Sequence, residues 1–473
     1  MQTFTGLSWA FEEFGDATLG NKRRSDRLVQ VAKQVAATPD GRVTSVFADP
    51  ADREAAFRFV ENSQVDPQSI ASASHRACVR RAAFYPFVYV PIDGTSLNIV
   101  DWQRTKGLGI IGSRRVGATG LKVMSAIGVA ADGTPLGLCG QKYWTRRGRV
   151  RRRGRKDMRK LKSKETQHWL DVMDRVGKVF DEHGSGTVPW FQLDRGGDAW
   201  PVLLMAQERD LCVTIRAAKN RRLWGDARNP RKYLWEELGR SPVRGYQHLR
   251  VSAAPNRQER VAKIATRFAE VTLDLHDAKD RNRKPGRFYA VMAREEGTAP
   301  GGERPIEWLL LTTRQIRDVA DARAVIDGYA QRWVIEEFHR TWKSGACNVE
   351  TTQLRACDHI LRWATILAAV ATRIQRLTKL ARTEPELPAT VELSRAEIDA
   401  IIITKKKSKY RQGETPTIAE AVTWVAEIGG YTGKSSGGPP GATVISRGLS
   451  RIQLLAEYLE FEGQRDVGQG SDQ

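Results

Sequence analysis

The chain has 473 residues, 41% of them hydrophobic, enough for a large core divided among two or three domains. Its 76 Lys+Arg against 55 Asp+Glu leave a formal net charge of +21. Such an excess asks for a polyanionic partner, nucleic acid first and an anionic membrane surface second. There is no run of about 18 apolar residues, which excludes a transmembrane helix.

The first residues carry acids where a signal peptide would carry a basic and then an apolar stretch, so a cytoplasmic location is expected. Five cysteines are scattered without a Cys-x-x-Cys pair, and the seven histidines do not cluster with them. That spacing speaks against a zinc site or a disulfide framework. Any bound metal must then take oxygen ligands, which suits magnesium or manganese.

In chain order, residues 1–70 read as helical and basic. A turn and helix start at Leu19–Val29 carries Arg23, Arg24 and Arg27 in its first turns, and Ala55–Val60 gives a second short helical pattern. This segment is either a small DNA-binding bundle or a solvated helical cap; the clustered arginines favour DNA. Phe84–Asp93 is a buried-strand pattern that closes on an acid. Leu121–Trp144 alternates around Asp132-Gly133 and predicts a β-hairpin. Residues 164–183 read as a helix. Val188–Asp194 is a second apolar strand closing on an acid, followed by a helix near 197–208 and a strand over Leu211–Arg216.

Residues 217–315 suggest a mostly β insertion, and helices resume over about 316–382. Thr383–Thr417, with its Pro, Thr and Lys405-Lys406-Lys407, reads as a linker or loosely packed region. A helical module is expected at 418–462, and the polar tail Gly463–Gln473 is expected to be disordered. The division that follows is 1–70, 71–382 and 383–473.

Within the helical part, Tyr329–Lys343 stands out. Taken as one helix at about 100° per residue, Tyr329, Arg332, Glu336 and Lys343 share a strip roughly 60° wide, while Glu337 points away. One carboxylate among two cations and a phenol suits a metal-assisted site gripping a phosphate backbone. The alternative is an ordinary amphipathic helix with ion pairs between turns.

Two glycine motifs are lookalikes. Gly107–Gly112 matches a dinucleotide fingerprint by letter but starts no helix. Gly433-Lys434-Ser435 lacks the leading glycine of a phosphate loop, since position 428 is Ile. No nucleotide cofactor is expected. Asp93, Asp194 and Glu336 carry more weight. Two acids at strand ends and one on a helix can hold divalent cations for in-line attack at phosphorus.

These segments together resemble the bacterial DDE transposases of the IS-four group, the Tn-five transposase in particular, over most of the chain. Tyr329–Lys343 is similar to that group's Y-R-E-K signature. Ile92–Leu97 resembles its first-aspartate strand, Asp194–Asp198 its second-aspartate motif, and Glu307–Thr312 the hairpin before the catalytic helix. Leu19–Val29 and Ile428–Tyr431 also fit.

The resemblance implies an α/β fold: a ribonuclease-H-like catalytic core with a mostly β insertion, flanked by helical N-terminal and C-terminal modules. It implies that Asp93, Asp194 and Glu336 ligate two magnesium or manganese ions, and that Tyr329, Arg332 and Lys343 hold phosphates. Trp308 would stack on a flipped base, and Arg216 would lie near the cleaved strand. The N-terminal module would read the element end and the C-terminal one would form a homodimer on double-stranded DNA, giving a nucleoid-associated cut-and-paste enzyme. The rival readings are a catalytically silent DNA-binding relative and a simple metal-dependent nuclease.

The sequence also departs from the group's pattern. Gly196 stands where an acid is frequent, and Met124 where a histidine is common. Residues 146–156 are crowded with arginine where the Tn-five transposase is acidic, as a solvated loop or as a DNA grip.

Overall fold

A computed structural model describes residues 8–112, 117–146, 165–225, 232–251, 258–276, 283–297, 299–406, 410, 414–433 and 438–469. Five helices come first: α1 Trp9–Phe14, α2 Lys22–Ala37, α3 Val43–Val46, α4 Pro50–Glu61 and α5 Pro67–Ala82. Their starts are set by capping side chains. Asn21 accepts from the Arg24 N–H, and Asp49 and Asp66 each cap a helix that opens on proline. Phe14, Leu28, Val31 and Val35 bury the apolar faces against one another.

The strands β1 Phe87–Asn98, β2 Gly109–Ile110, β3 Thr119–Val129 and β4 Pro135–Trp144 follow. Next come α6 Thr166–His183, β5 Val188–Leu193, α7 Trp200–Glu208 and β6 Val213–Arg216. β5 and β6 run parallel to β1, while β3 and β4 are antiparallel to their neighbours. The spatial order β4-β3-β1-β5-β6 is the expected ribonuclease-H-like arrangement. Such parallel strands must be covered on both faces, hence their near-continuous apolar runs. Val88, Val90 and Ile92 pack with Val172 and Phe180 of α6; Tyr89 and Trp190 turn to the opposite face.

The β-rich segment holds α8 Leu234–Arg240, β7 Gly245–Val251, β8 Arg260–His276, β9 Arg283–Glu295 and β10 Glu307–Thr312. It is mostly β, as the alternation predicts, but it is not a separate sheet. β10 pairs with β6, and β9, β8 and β7 add outward, so core and insertion form one sheet, ten-stranded among the described residues.

On the Tyr89 face lie α9 Val319–Ala330, α10 Trp333–Lys343 and α11 Cys357–Thr383. From Ile360 to Leu377 most of α11 is buried on all sides, as suits a central helix. α12 Arg395–Thr404, α13 Ile418–Ile428 and α14 Ala442–Gln469 close the fold around a smaller core.

Three expectations are corrected. The loosely packed reading of 383–417 fails, because Ser394 and Glu397 form a capping box and α12 buries Ile398, Ala400 and Ile401. The tail is not wholly irregular, since α14 runs to Gln469. Asp93 does not end its strand: β1 continues five residues to Asn98. Beyond Arg146 the arginine-rich stretch lies outside the described residues, as do residues 434–437 of the second glycine motif.

Candidate active site

In the parallel pairing of β1 with β5, Ile92 stands opposite Leu193. The next residue on each strand is an aspartate, so Asp93 and Asp194 lie side by side. Alternation puts Asp93 on the face of Tyr89, and Asp194 on the face of Trp190, toward α9 and α10. Asp194 ends its strand as predicted, its carboxylate accepting from the Gly196 N–H at 2.7 Å within the 3₁₀ turn Arg195–Gly197. The Asp93 carboxylate accepts from the Gly94 N–H at 2.8 Å.

Tyr329 to Lys343 is not one continuous helix. α9 ends at Ala330 and α10 begins at Trp333, joined by a tightened turn in which Arg332 N–H bonds to the Tyr329 carbonyl at 3.1 Å. The strip read as one ridge is therefore a bend. It still gathers Tyr329, Arg332 and Glu336. Arg332 is 9% exposed and donates through Nη2 to Glu336 Oε1, while its Nε is buried without a partner among the described residues. Burial raises the Tyr329 phenol above its ordinary range, against the pull of the Arg332 and Arg216 charges. The Trp308 and Tyr329 rings meet edge to face at 5.0 Å, and Arg216 donates to the Glu307 carbonyl at 3.1 Å.

The electrostatics join the three acids. Burial, and next the neighbouring Asp194 charge, push the Asp93 carboxyl up to about 6; Glu336 adds to this, while the Gly94 N–H and Arg332 oppose it. Carboxylates that repel one another in a half-buried crevice form a hard-oxygen donor set of the kind a divalent cation stabilises. Among the described residues no three acid, histidine or cysteine side chains converge on one point. Glu336 faces Arg332 instead.

The other expected residues lie apart. Lys343 is at the far end of α10, about 10 Å along the helix from Glu336, and pairs with Glu350 at 3.6 Å. Arg23, Arg24 and Arg27 are on α2, which packs on α1 and α11. Of these, Arg24 is already used within the fold, donating to the Leu19 carbonyl at 2.9 Å.

One pair escaped the sequence reading. Asp198 is buried; its carboxylate takes Arg221 Nε at 2.8 Å and the N–H groups of Ala218 and Lys219 at 2.7 and 3.0 Å. This ties the turn carrying Asp194 to the segment after Arg216. The available signal was its place four residues beyond Asp194.

Three family profiles match the chain: Transposase DNA-binding over residues 7–65, Transposase DDE domain over 162–373, and Transposase Tn5 dimerisation domain over 369–465. The chain belongs to the Tn5-like DDE transposases. It is a DNA-cleaving enzyme with a DNA-binding and a dimerisation domain, from a family that uses divalent metal ions. The DDE match takes in Asp194 and Glu336; Asp93 precedes it and is brought to them by the β1–β5 pairing. Among the described residues, no helix of this transposase is long and apolar enough to cross a membrane.

Proposed function

We propose that this transposase works by cut and paste, with Asp93, Asp194 and Glu336 as ligands for two magnesium or manganese ions. The juxtaposition of Asp93 and Asp194, with Glu336 on the facing helix, carries this reading. When bound, the cations polarise the scissile phosphate as Lewis acids. The chain's own groups do the rest. Arg332, whose Nε has no partner among the described residues, offers a fixed positive charge to a phosphate oxygen, and the Tyr329 hydroxyl and Arg216 bracket the same strand. Lys343 holds a phosphate further along α10.

Trp308 is 9% exposed beneath the Tyr329 edge, so a flipped base reaches its face only as that cover shifts. The reaction sequence proposed is 3′ nicking by water, attack of the freed 3′-hydroxyl on the opposite strand to give a DNA hairpin, opening by a second water, and strand transfer into target DNA. The division into 1–70, 71–382 and 383–473 assigns end reading, with Arg23, Arg24 and Arg27, to the first part. It assigns the homodimer contact to the last, and the protein works in the cytoplasm on the nucleoid.

The test is cleavage of a labelled duplex bearing the element's own end, with magnesium, by wild type and Glu336→Gln. Cutting at the boundary with a hairpin product, lost in the variant, is the expected outcome. A simple nick with no hairpin would replace this reading with a plain nuclease, and binding without cutting in both proteins with a silent DNA-binding relative.

A further inference from the structure

The most exposed large apolar side chain among the described residues is Trp102, at 91%. An indole left in water is costly, and here it is held there by a built loop. Asp101 is buried, and its carboxylate accepts from the Thr105 and Lys106 N–H groups at 3.1 and 3.2 Å. Its carbonyl takes the Arg104 N–H at 3.1 Å, and Arg104 sits in the left-handed region at φ 54°. Such a backbone conformation, rare outside glycine, marks a shape that the surroundings impose. Gly107, at φ 75°, seats the loop against Cys357 at the start of α11.

The loop is cationic and continuous with the candidate active site. Arg104 is exposed and Lys106 half-buried, with no ion pair to either among the described residues. The loop leaves β1 at Asn98, five residues or about 16 Å beyond Asp93. There Glu350 accepts from the Asn98 N–H at 2.7 Å and pairs with Lys343. At the loop's other side Gly109 lies against the backbone of Arg146, where the arginine-rich stretch begins. A DNA strand running from Asp93 past Lys343 comes, about 16 Å on, to the end of β1 at Asn98, from which the loop bearing Trp102 springs.

We propose that Trp102 is a DNA contact, an aromatic platform on which an unpaired base several nucleotides from the cut stacks while Arg104 neutralises a neighbouring phosphate. This rests on the transposase reading above and adds a binding residue to it. Stacking demands a base free of its partner, so the contact discriminates between duplex and frayed DNA. A hydrated indole on a rigid loop suits this use, since little side-chain freedom is lost on binding.

The experiment uses the full chain carrying Glu336→Gln, so that no probe is consumed. Anisotropy titrations compare a blunt duplex of about 40 base pairs with the same duplex carrying a five-nucleotide single-stranded end. Trp102→Ala should weaken binding of the overhang probe about tenfold, leave the blunt probe within about twofold, and leave the salt slope unaltered. Trp102→Phe should retain most of the preference, and Arg104→Ala should lower the salt slope by about one on both probes. Trp102 is almost wholly exposed, so thermal midpoints should match. Trp102→Ala binding both probes like its parent, or weakening both equally, would overturn the proposal. Failure of the cleavage test above would leave this comparison readable by itself.

Discussion

At the residue scale, the candidate site shows what composition can and cannot reveal. Asp194 is legible because an apolar strand stops on it. Asp93 is legible as an acid after an apolar run, but its place inside β1 is not, since an acid in a strand interior breaks the alternation that marks the strand. Asp198 stands in the sequence as part of a motif without a role of its own, because its partner Arg221 is joined to it only by the fold.

Another residue whose environment sequence could not supply is His75, fully enclosed between α5 and its neighbours. Burial first, then the charges of Arg175 and Arg76, depress it to about 3. The unfolded chain binds this proton below pH 6.5 and the folded one only near pH 3. The fold therefore loses stability as pH falls through that window. At pH 5 the loss from this one group is about 2 kcal/mol relative to neutral pH. Denaturant titrations at pH 7.5 and 5 should show the fall in wild type and a shallower one in His75→Gln; equal slopes would remove His75 as the cause.

At the scale of elements, the β3–β4 hairpin was readable from Asp132-Gly133. The reason is visible in the backbone, where Gly133 takes φ 88°. What the pattern could not give is the turn's neighbour: a Cβ on Gly133 would stand 2.5 Å from Gln331 Oε1, at the bend between α9 and α10. Gly133→Ala should thus cost about 1–2 kcal/mol through the strained φ alone, measurable as a lower thermal midpoint. An unchanged midpoint would mean that the turn relaxes freely.

The α9–α10 bend is not legible in the sequence, because a tightened turn keeps helical dihedrals and leaves the residue period nearly intact. α12 was missed for the opposite reason. The Ser394–Glu397 spacing is a helix-start signal, but the prolines, threonines and lysines around it obscured it.

At the scale of the whole molecule, the +21 charge correctly anticipates a DNA partner, and the resemblance to the DDE transposases correctly anticipates the class of fold. The joining of core and insertion was not legible. Periodicity finds strands but does not name their partners, and β6 pairs with β10 across almost a hundred residues. One consequence is testable by calorimetry. Because β6 to β7 are hydrogen-bonded into the sheet that bears the acids, residues 87–312 should melt in a single transition. A separate early transition assigned to 217–315 would contradict the shared sheet.

The three acids also come from widely spaced parts of the chain: a first strand, a strand a hundred residues later, and a helix that begins after the whole insertion. During synthesis Asp93 leaves the ribosome about 240 residues before Glu336. At about 5–20 residues per second this is an interval of roughly 12–50 s. Throughout that time the nascent chain already exposes its basic N-terminal helices but cannot assemble the proposed cutting centre. The order of the polypeptide thus separates, in time, the capacity to hold DNA from the capacity to break it.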